Sequence, residues 1–302
     1  MYRMTLMLAS TIVLTATSTA TTWAQGPVIR NLEYTRLDER SLQLDIYQTA
    51  SYAEADQPLV IWIHGGAWRA GSRGSVPVLD LLKHGFAVAS VDYRLSPEAQ
   101  FPAQLHDLHA AIRFCRDHAS EYGFDAERFV VAGASAGGHL AALTGVTSDV
   151  DELLGPPGSS PKTSSRVQAI VSFYGASNLQ TILSQSTPHG LSVRVPALQL
   201  LLGGQPDDRP RLAELASPVA HVDQNDPPLW LIHGDADPQM PPEQSQELAA
   251  VYRKHKLPVQ LEMLPGSVHG GREFYAAERM QRIAEQLHAA LKTPRVPTAN
   301  EN

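Results

Sequence analysis

The most informative residue for chemistry is Ser135, at the centre of the segment Gly133-Ala-Ser-Ala-Gly137. A short apolar run, typical of a strand buried on both faces, precedes this G-x-S-x-G pattern, and good helix formers follow it from Leu140. This context predicts a sharp strand-to-helix turn that raises the hydroxyl of Ser135 above a sheet. The pentapeptide alone also fits a glycine-rich turn in which the serine only caps a helix.

A serine hydroxyl is a weak nucleophile, so catalysis by Ser135 needs a base that accepts its proton. In a strand-turn-helix arrangement of this kind, an acid and then a histidine follow the serine along the chain. His269 fits the role of base, because it follows the last predicted strand in the glycine-rich loop 265–271. Four other histidines are less well placed, at a strand end or on helices: His139, His233, His255 and His288.

The acid that orients the base should follow the penultimate strand, where two aspartates occur. Asp237 is favoured, because it precedes Pro238 at the tip of the loop and can reach toward the loop of His269. Asp235 lies nearer to the strand and could instead bond loop amides. The sequence therefore predicts a triad of Ser135, Asp237 and His269, with Asp235 as the alternative acid.

Attack by a serine creates an alkoxide that needs preorganised hydrogen-bond donors. The segment His64-Gly-Gly-Ala67 offers them, because glycines let backbone N–H groups face a site without obstruction. The predicted donors are the amides of Gly66, Ala67 and Ala136. Trp68 is assigned to substrate binding, although a packing role fits equally well, and His64 to bonding of loop carbonyls. The histidines show no zinc-ligand spacing, so neither a metal nor another cofactor is predicted.

Strand-like and helix-like segments alternate along the chain, which predicts an α/β fold with a mostly parallel sheet and helices on both faces. An alternating apolar pattern in the second segment predicts an antiparallel start. The predicted strands are 28–36, 41–48, 58–63, 86–93, 129–132, 167–174, 228–233 and 259–264. The predicted helices are 75–84, 104–122, 242–256 and 272–291, besides the helix after Ser135. The less regular stretch 175–226 is a candidate small lid.

The composition fits one exported α/β domain. The chain has 302 residues, of which 43% are apolar, and we assign residues 25–295 to the domain and 296–302 to a disordered tail. A net charge of −7 without a basic run argues against nucleic-acid binding. Residues 1–24 are typical of a signal peptide whose apolar part is too short to span a bilayer. We therefore expect no stable membrane insertion and a periplasmic or extracellular location. The single cysteine, Cys115, lies on an apolar helical stripe and is expected to be buried.

The motifs together resemble the α/β-hydrolase superfamily, and within it the carboxylesterases related to hormone-sensitive lipase. The similarity is greatest to the bacterial acetyl-xylan and feruloyl esterase-like group. It rests on the segments 64–72, 91–98, 133–140, 216–222 and 233–237, which lie within a span from about Leu42 to Leu291. The resemblance implies the same triad and the same three oxyanion donors. Two departures are Ala67, where hormone-sensitive lipase relatives have a third glycine, and Asp237-Pro-Gln in place of their longer Asp-Pro-Leu motif.

Together with the predicted signal peptide, the resemblance implies a secreted serine esterase that hydrolyses short-chain or carbohydrate-linked esters of acetyl or feruloyl type through an acyl-enzyme. Its partner is then a small-molecule or carbohydrate ester, and the oligomeric state is left open. An arylformamidase or small-amide hydrolase is the alternative on the same fold. A catalytically inactive hydrolase-fold binding protein is the remote alternative, against which the complete set of Ser, Asp and His argues.

Overall fold

The computed structural model describes residues 25–49, 56–156 and 162–292. The predicted signal peptide and the predicted tail lie outside these residues. The described residues form a single sheet of eight strands. The strands are β1 (Gln25–Leu37), β2 (Arg40–Thr49), β3 (Gln57–Ile63), β4 (Ala87–Val91), β5 (Phe124–Ala134), β6 (Ala169–Phe173), β7 (Leu229–Gly234) and β8 (Val259–Leu264).

The strand order is β1-β2-β4-β3-β5-β6-β7-β8. The pairs β1–β2 and β2–β4 are antiparallel, and every later pair in the sheet is parallel. The predicted fold class, a mostly parallel sheet with an antiparallel start, is therefore confirmed. Strand β5 lies between β3 and β6, with Gly133 opposite Ile63 on one side and Ser172 on the other. The carboxyl ends of these central strands thus meet at one edge of the sheet.

Helices cover both faces of the sheet. They are α1 (Ala103–Asp117), α2 (Ala119–Tyr122), α3 (Ala136–Val146), α4 (Asp151–Leu154), α5 (Ile182–Gln185), α6 (Pro188–Leu202), α7 (Pro210–Leu215), α8 (Glu243–Lys254) and α9 (Ala277–Lys292). Apolar residues of α1, α3, α6 and α8 pack on one face, against side chains such as Ile61 and Val131. Helix α9 and the 3-10 helix Leu79–His84 cover the other face, against Val60 and Val130. Alternate residues of the same central strands therefore enter two separate cores, as expected for strands buried on both faces.

Some element bounds differ from the prediction. The predicted helix 75–84 is reduced to the 3-10 helix Leu79–His84, which ends where Gly85 adopts a left-handed conformation with φ of 85°. The predicted helix 104–122 is divided at His118 into α1 and α2. Strand β5 starts five residues earlier than predicted, at Phe124. The carboxyl ends of the central strands differ from the prediction by at most two residues, as for β5, which ends at Ala134 where the prediction ended at Ala132, so the site stays at the predicted edge of the sheet.

Two further properties of the described residues bear on the predictions. Cys115 is fully buried, and burial raises the pKa of its thiol to about 12, so it has no nucleophilic role at neutral pH. Of the helices in the described part of the chain, none has the length and apolar character needed to cross a membrane.

Candidate active site

Ser135 lies at the turn between β5 and α3, with φ of 56° and ψ of −118°. A positive φ is strained for a residue with a side chain, and here it carries the hydroxyl above the end of the sheet. The flanking glycines are required by space. A Cβ atom on Gly133 would stand 2.2 Å from the carbonyl oxygen of Gly137, and one on Gly137 would stand 2.1 Å from that of Ile63. The turn can therefore form only because both positions lack a side chain.

The structure brings the three predicted triad residues into one hydrogen-bonded chain. The Oγ atom of Ser135 lies 2.8 Å from Nε2 of His269, and Nδ1 of His269 lies 2.6 Å from Oδ2 of Asp237. A carboxylate can only accept, so Nδ1 carries the proton and Nε2 is left free to accept from the serine hydroxyl. This tautomer is the one that a general base beside a serine requires.

Asp237 is held in one orientation by several donors. Its Oδ1 atom accepts from the backbone N–H groups of Gln239 and Met240, each at 2.8 Å. Its Oδ2 atom accepts from His269, and Nε2 of His233 lies 3.4 Å from the same oxygen. Burial raises the pKa of Asp237, but hydrogen bonds from His233 and His269 outweigh this and hold it well below its usual range. The carboxylate therefore stays ionised at neutral pH and in mild acid.

The alternative acid is placed differently. Asp235 accepts a hydrogen bond from the amide of Gly266 at 2.6 Å, which is the loop-bonding role considered for it from the sequence. The rival base at the end of β7, His233, is also hydrogen-bonded elsewhere. His233 lies 2.7 Å from Ser245 through Nδ1 and 3.1 Å from the carbonyl of Met240 through Nε2. Of the described histidines, only His269 forms a side-chain hydrogen bond with the hydroxyl of Ser135.

The three predicted oxyanion donors lie at the carboxyl ends of β3 and β5. Gly66 and Ala67 line the same cavity as Ser135, and Ala136 is the first residue of α3. None of the three backbone amides donates a hydrogen bond to another described residue. Gly66 has φ of 115° and Ala67 has φ of 53°, conformations that turn the loop after β3 sharply. These amides thus have no acceptor among the described residues, as the predicted role of oxyanion donors requires.

Trp68 takes the packing position that the sequence left open as the alternative to substrate binding. Trp68 is fully buried and does not line the cavity. Its Nε1 donates to Nδ1 of His139 at 3.0 Å, and Nε2 of His139 donates to the carbonyl of Ala216 at 2.7 Å. Burial lowers the pKa of His139 to about 4, so this imidazole is neutral and can bridge the two. Trp68 therefore packs in the interior next to the predicted oxyanion segment 64–67, outside the cavity wall.

A cavity of about 670 Å³ opens onto Ser135 and His269. Several of its lining residues were not predicted from the sequence: Trp62, Arg69, Tyr174, Gln239 and Tyr275. The ring of Tyr174 packs edge-on against His269 with 4.9 Å between ring centroids, and its hydroxyl lies 2.7 Å from that of Tyr275. Tyr174 directly follows β6, so its place at a strand end was a usable signal. No comparable signal marks Tyr275.

The predicted lid does not cover this cavity. Segment 175–226, all of which is described, contributes none of the lining residues. Instead α6 inserts Leu198 and Leu201 into the core on one face of the sheet. Gly190, in the first turn of α6, lies close to the carbonyls of the loop that carries Asp237. Segment 175–226 is therefore packed beside the loop that carries Asp237, because its apolar residues are buried in the core.

The described residues contain no group of three or more His, Cys, Asp or Glu side chains arranged to hold a metal ion. The arrangement that they do contain, a hydroxyl, an imidazole and a carboxylate beside free amides, is able to form and break an acyl bond to serine.

Comparison with known proteins gives a consistent result. Residues 44–252 match the protein family described as BD-FAE. Esterase LipC of Mycobacterium tuberculosis (strain ATCC 25618 / H37Rv) is 33% identical over 241 residues, which cover 77% of this chain and 58% of LipC. The chain thus spans little more than half the length of that relative.

Two solved structures have similar folds. One, described as a truncated form of a carbohydrate esterase from gut microbiota, has a TM-score of 0.78 and 30% identity, covering 89% of this chain and 98% of its own. The other is a bifunctional GH43-CE protein of Bacteroides eggerthii, with a TM-score of 0.78 and 31% identity, covering 87% of this chain and 35% of its own.

Proposed function

Because the chain belongs to the BD-FAE family, we propose that it is a serine esterase that hydrolyses short-chain or carbohydrate-linked esters, of acetyl or feruloyl type. The resemblance to hormone-sensitive-lipase-like α/β-hydrolases found in the sequence is thereby confirmed. The observation that carries the proposed activity is the contact chain from Ser135 through His269 to Asp237, at 2.8 and 2.6 Å. We further propose, from the leader at residues 1–24, that the enzyme acts in the periplasm or outside the cell.

The geometry supports a two-step acyl transfer. His269 Nε2 accepts the proton of Ser135 while Oγ attacks the ester carbonyl carbon, and the carbonyl oxygen becomes an alkoxide bonded by the free amides. His269 then gives its proton to the leaving alkoxide, the carbon–oxygen bond breaks, and the acyl group stays on Ser135. Water attacks this acyl-enzyme while His269 accepts its proton. His269 then returns that proton to Oγ of Ser135 as the acyl–oxygen bond breaks, which releases the acid and restores the serine hydroxyl. Asp237 holds the imidazole and stabilises its charged form.

The cavity supports a substrate larger than its acyl group. An acetyl group fills only a small part of a space of about 670 Å³, so the alcohol part of the ester must share it. Three aromatic residues contribute to the wall, namely Trp62, Tyr174 and Tyr275. Such rings suit either the flat face of a sugar or an aromatic acyl group. The similarity to structures described as carbohydrate esterases favours a sugar ester.

The test is a substrate panel on the purified chain without residues 1–24. It contains p-nitrophenyl acetate, a long-chain p-nitrophenyl ester, acetylated xylan, methyl ferulate and N-formylkynurenine. We expect turnover of the acetyl or feruloyl esters and little of the long-chain ester. Preference for N-formylkynurenine would instead indicate an amide hydrolase. No turnover of any compound, with no labelling by a fluorophosphonate, would indicate an inactive binding protein.

The oxyanion loop gives a separate prediction. A Cβ atom on Gly66 would stand 2.0 Å from the carbonyl oxygen of Ala70, so Gly66→Ala must displace the loop that carries two of the donors. We expect kcat for p-nitrophenyl acetate to fall by about 100-fold or more. The control is Gly74→Ala in the same segment, whose Cβ would meet only the hydroxyl of Ser72 at 3.5 Å. Similar activities for the two variants would contradict this role of Gly66.

A further inference from the structure

The residues that line the catalytic cavity carry positive but no negative formal charge. Among its lining residues Arg69 is the one lysine or arginine, and no aspartate or glutamate is present. Arg69 lies two residues after the predicted oxyanion segment 64–67, and its backbone amide donates to the carbonyl of Gly66 at 3.1 Å. The residue is half-buried, and no carboxylate or carbonyl of the described residues pairs with its guanidinium. Arg69 therefore lines the same cavity as Ser135 and has no counterion among the described residues.

Nearby arginines are arranged differently. Arg73, a few residues further along, contacts Asp45 and Asp92. Arg94 binds Asp107 through several hydrogen bonds of 2.8 to 3.1 Å. Both of these arginines hold loops together, and each is satisfied by a carboxylate. Because Arg69 has no such partner, a fold-supporting ion pair does not explain its position.

A second arginine, Arg194, lies close enough to Arg69 for their charges to interact. Arg194 of α6 is fully buried, with its guanidinium 5.7 Å from the centre of the Trp68 ring. None of its three side-chain nitrogens has a hydrogen-bond partner among the described residues. Burial lowers the pKa of Arg194 to about 10, with Asp237 opposing and Arg69 adding to this change, so it remains charged at neutral pH. Because the charges of the two arginines are close enough to interact, an anion bound at Arg69 would be attracted by both.

We propose that Arg69 binds a carboxylate on the alcohol part of the ester, so that the preferred substrate is an acylated acidic saccharide, such as one that carries a uronic acid. This inference rests on the proposed esterase function and specifies its substrate class. Guanidinium groups bind carboxylates through two parallel hydrogen bonds, which adds orientation to attraction. The cavity has room for the alcohol part as well as the acyl group. Arg69 then positions the ester relative to Ser135.

The experiment compares two acetyl esters that differ only in charge, para-acetoxybenzoate and para-acetoxybenzamide. For each enzyme, kcat/KM is measured on both esters, and the value for the carboxylate is divided by the value for the amide. This ratio is then divided by the same ratio of the two esters' hydroxide-catalysed hydrolysis rates, which gives the normalised ratio. We expect the wild-type normalised ratio to favour the carboxylate by about 10- to 100-fold, and Arg69→Gln to remove that preference. Arg69→Lys should retain part of it. Raising NaCl from low to high concentration should weaken it, because salt screens charges in open cavities.

The matched control is Arg253→Gln, which removes the same charge from an exposed position in the last turn of α8. It should leave the ratio unchanged, and a thermal melt of each variant checks folding. Equal losses of Arg69→Gln on both esters would overturn the proposal, since Arg69 would then act on the oxyanion loop. A wild-type enzyme that cleaves both esters without preference would overturn it too and leave the esterase function intact. Failure to cleave either ester would overturn both.

Discussion

Replacement of Ser135 by alanine is expected to lower kcat for the best ester substrate by about 10⁴-fold or more. The hydroxyl of Ser135 is the only one among the described residues that is hydrogen-bonded to His269. The free amides and His269 remain in the variant, so a small residual rate above that of water should persist. The chain's one thiol cannot take over, because Cys115 is fully buried with its pKa raised to about 12.

The measurement is steady-state hydrolysis of p-nitrophenyl acetate, with covalent labelling by a fluorophosphonate and a thermal melt. The control is Ser267→Ala, which removes a hydroxyl from the loop next to His269 and should change kcat by no more than about threefold. Labelling should be lost only in Ser135→Ala. A Ser135→Ala enzyme that kept a tenth of the wild-type rate, or still took up the label, would contradict the proposed role of Ser135.

The triad geometry was accessible from the sequence because it depends on local rules. Parallel strands have their carboxyl ends at one edge, so residues that follow strands become neighbours whatever the details of packing. The turn at Ser135 is fixed by two glycines that must lack side chains, and the order of serine, acid and histidine follows from the order of the strands. Even the choice between Asp235 and Asp237 followed from loop position, since only the residue at the tip of the loop reaches His269.

Features that depend on contacts between distant segments were not accessible. The sequence places Trp68 directly after the oxyanion loop, but its burial depends on His139 and on the carbonyl of Ala216. Segment 175–226 looks irregular, yet it packs against the core, because Leu198 and Leu201 of α6 are buried there and no local pattern reveals this. Arg69 and Tyr275 show the same limit, since the fold alone brings them to one cavity.

Replacement of Asp237 by asparagine is expected to reduce kcat by about 10⁴-fold, with little effect on folding. The two side chains have almost the same shape, so the result depends on which atom faces His269. Oδ1 of Asp237 accepts from the amides of Gln239 and Met240, both at 2.8 Å. In the variant these two donors require an acceptor, so the amide oxygen must occupy the Oδ1 position. The NH₂ group is thereby placed where Oδ2 lies in the wild type.

An NH₂ group at the Oδ2 position cannot accept a hydrogen bond from Nδ1 of His269. The imidazole must then present its lone pair at Nδ1 and carry its proton on Nε2, which faces Ser135 at 2.8 Å. A protonated Nε2 cannot accept the serine proton, so the base is switched off without any movement of its ring. The loss should therefore appear mainly in kcat, since the cavity that binds the ester is unchanged.

Asp235→Asn is the matched control, because it makes the same chemical change two residues away. Asp235 serves as an acceptor for the amide of Gly266, and an asparagine side-chain oxygen can accept that bond equally well. We expect its kcat to stay within about threefold of wild type. The ratio of the two variants thus isolates the effect of the imidazole tautomer from that of a lost charge in the loop. A larger loss for Asp235→Asn than for Asp237→Asn would show that Asp235 is the acid and would contradict the role given to Asp237. Equal small losses would mean that Ser135 is activated without a carboxylate.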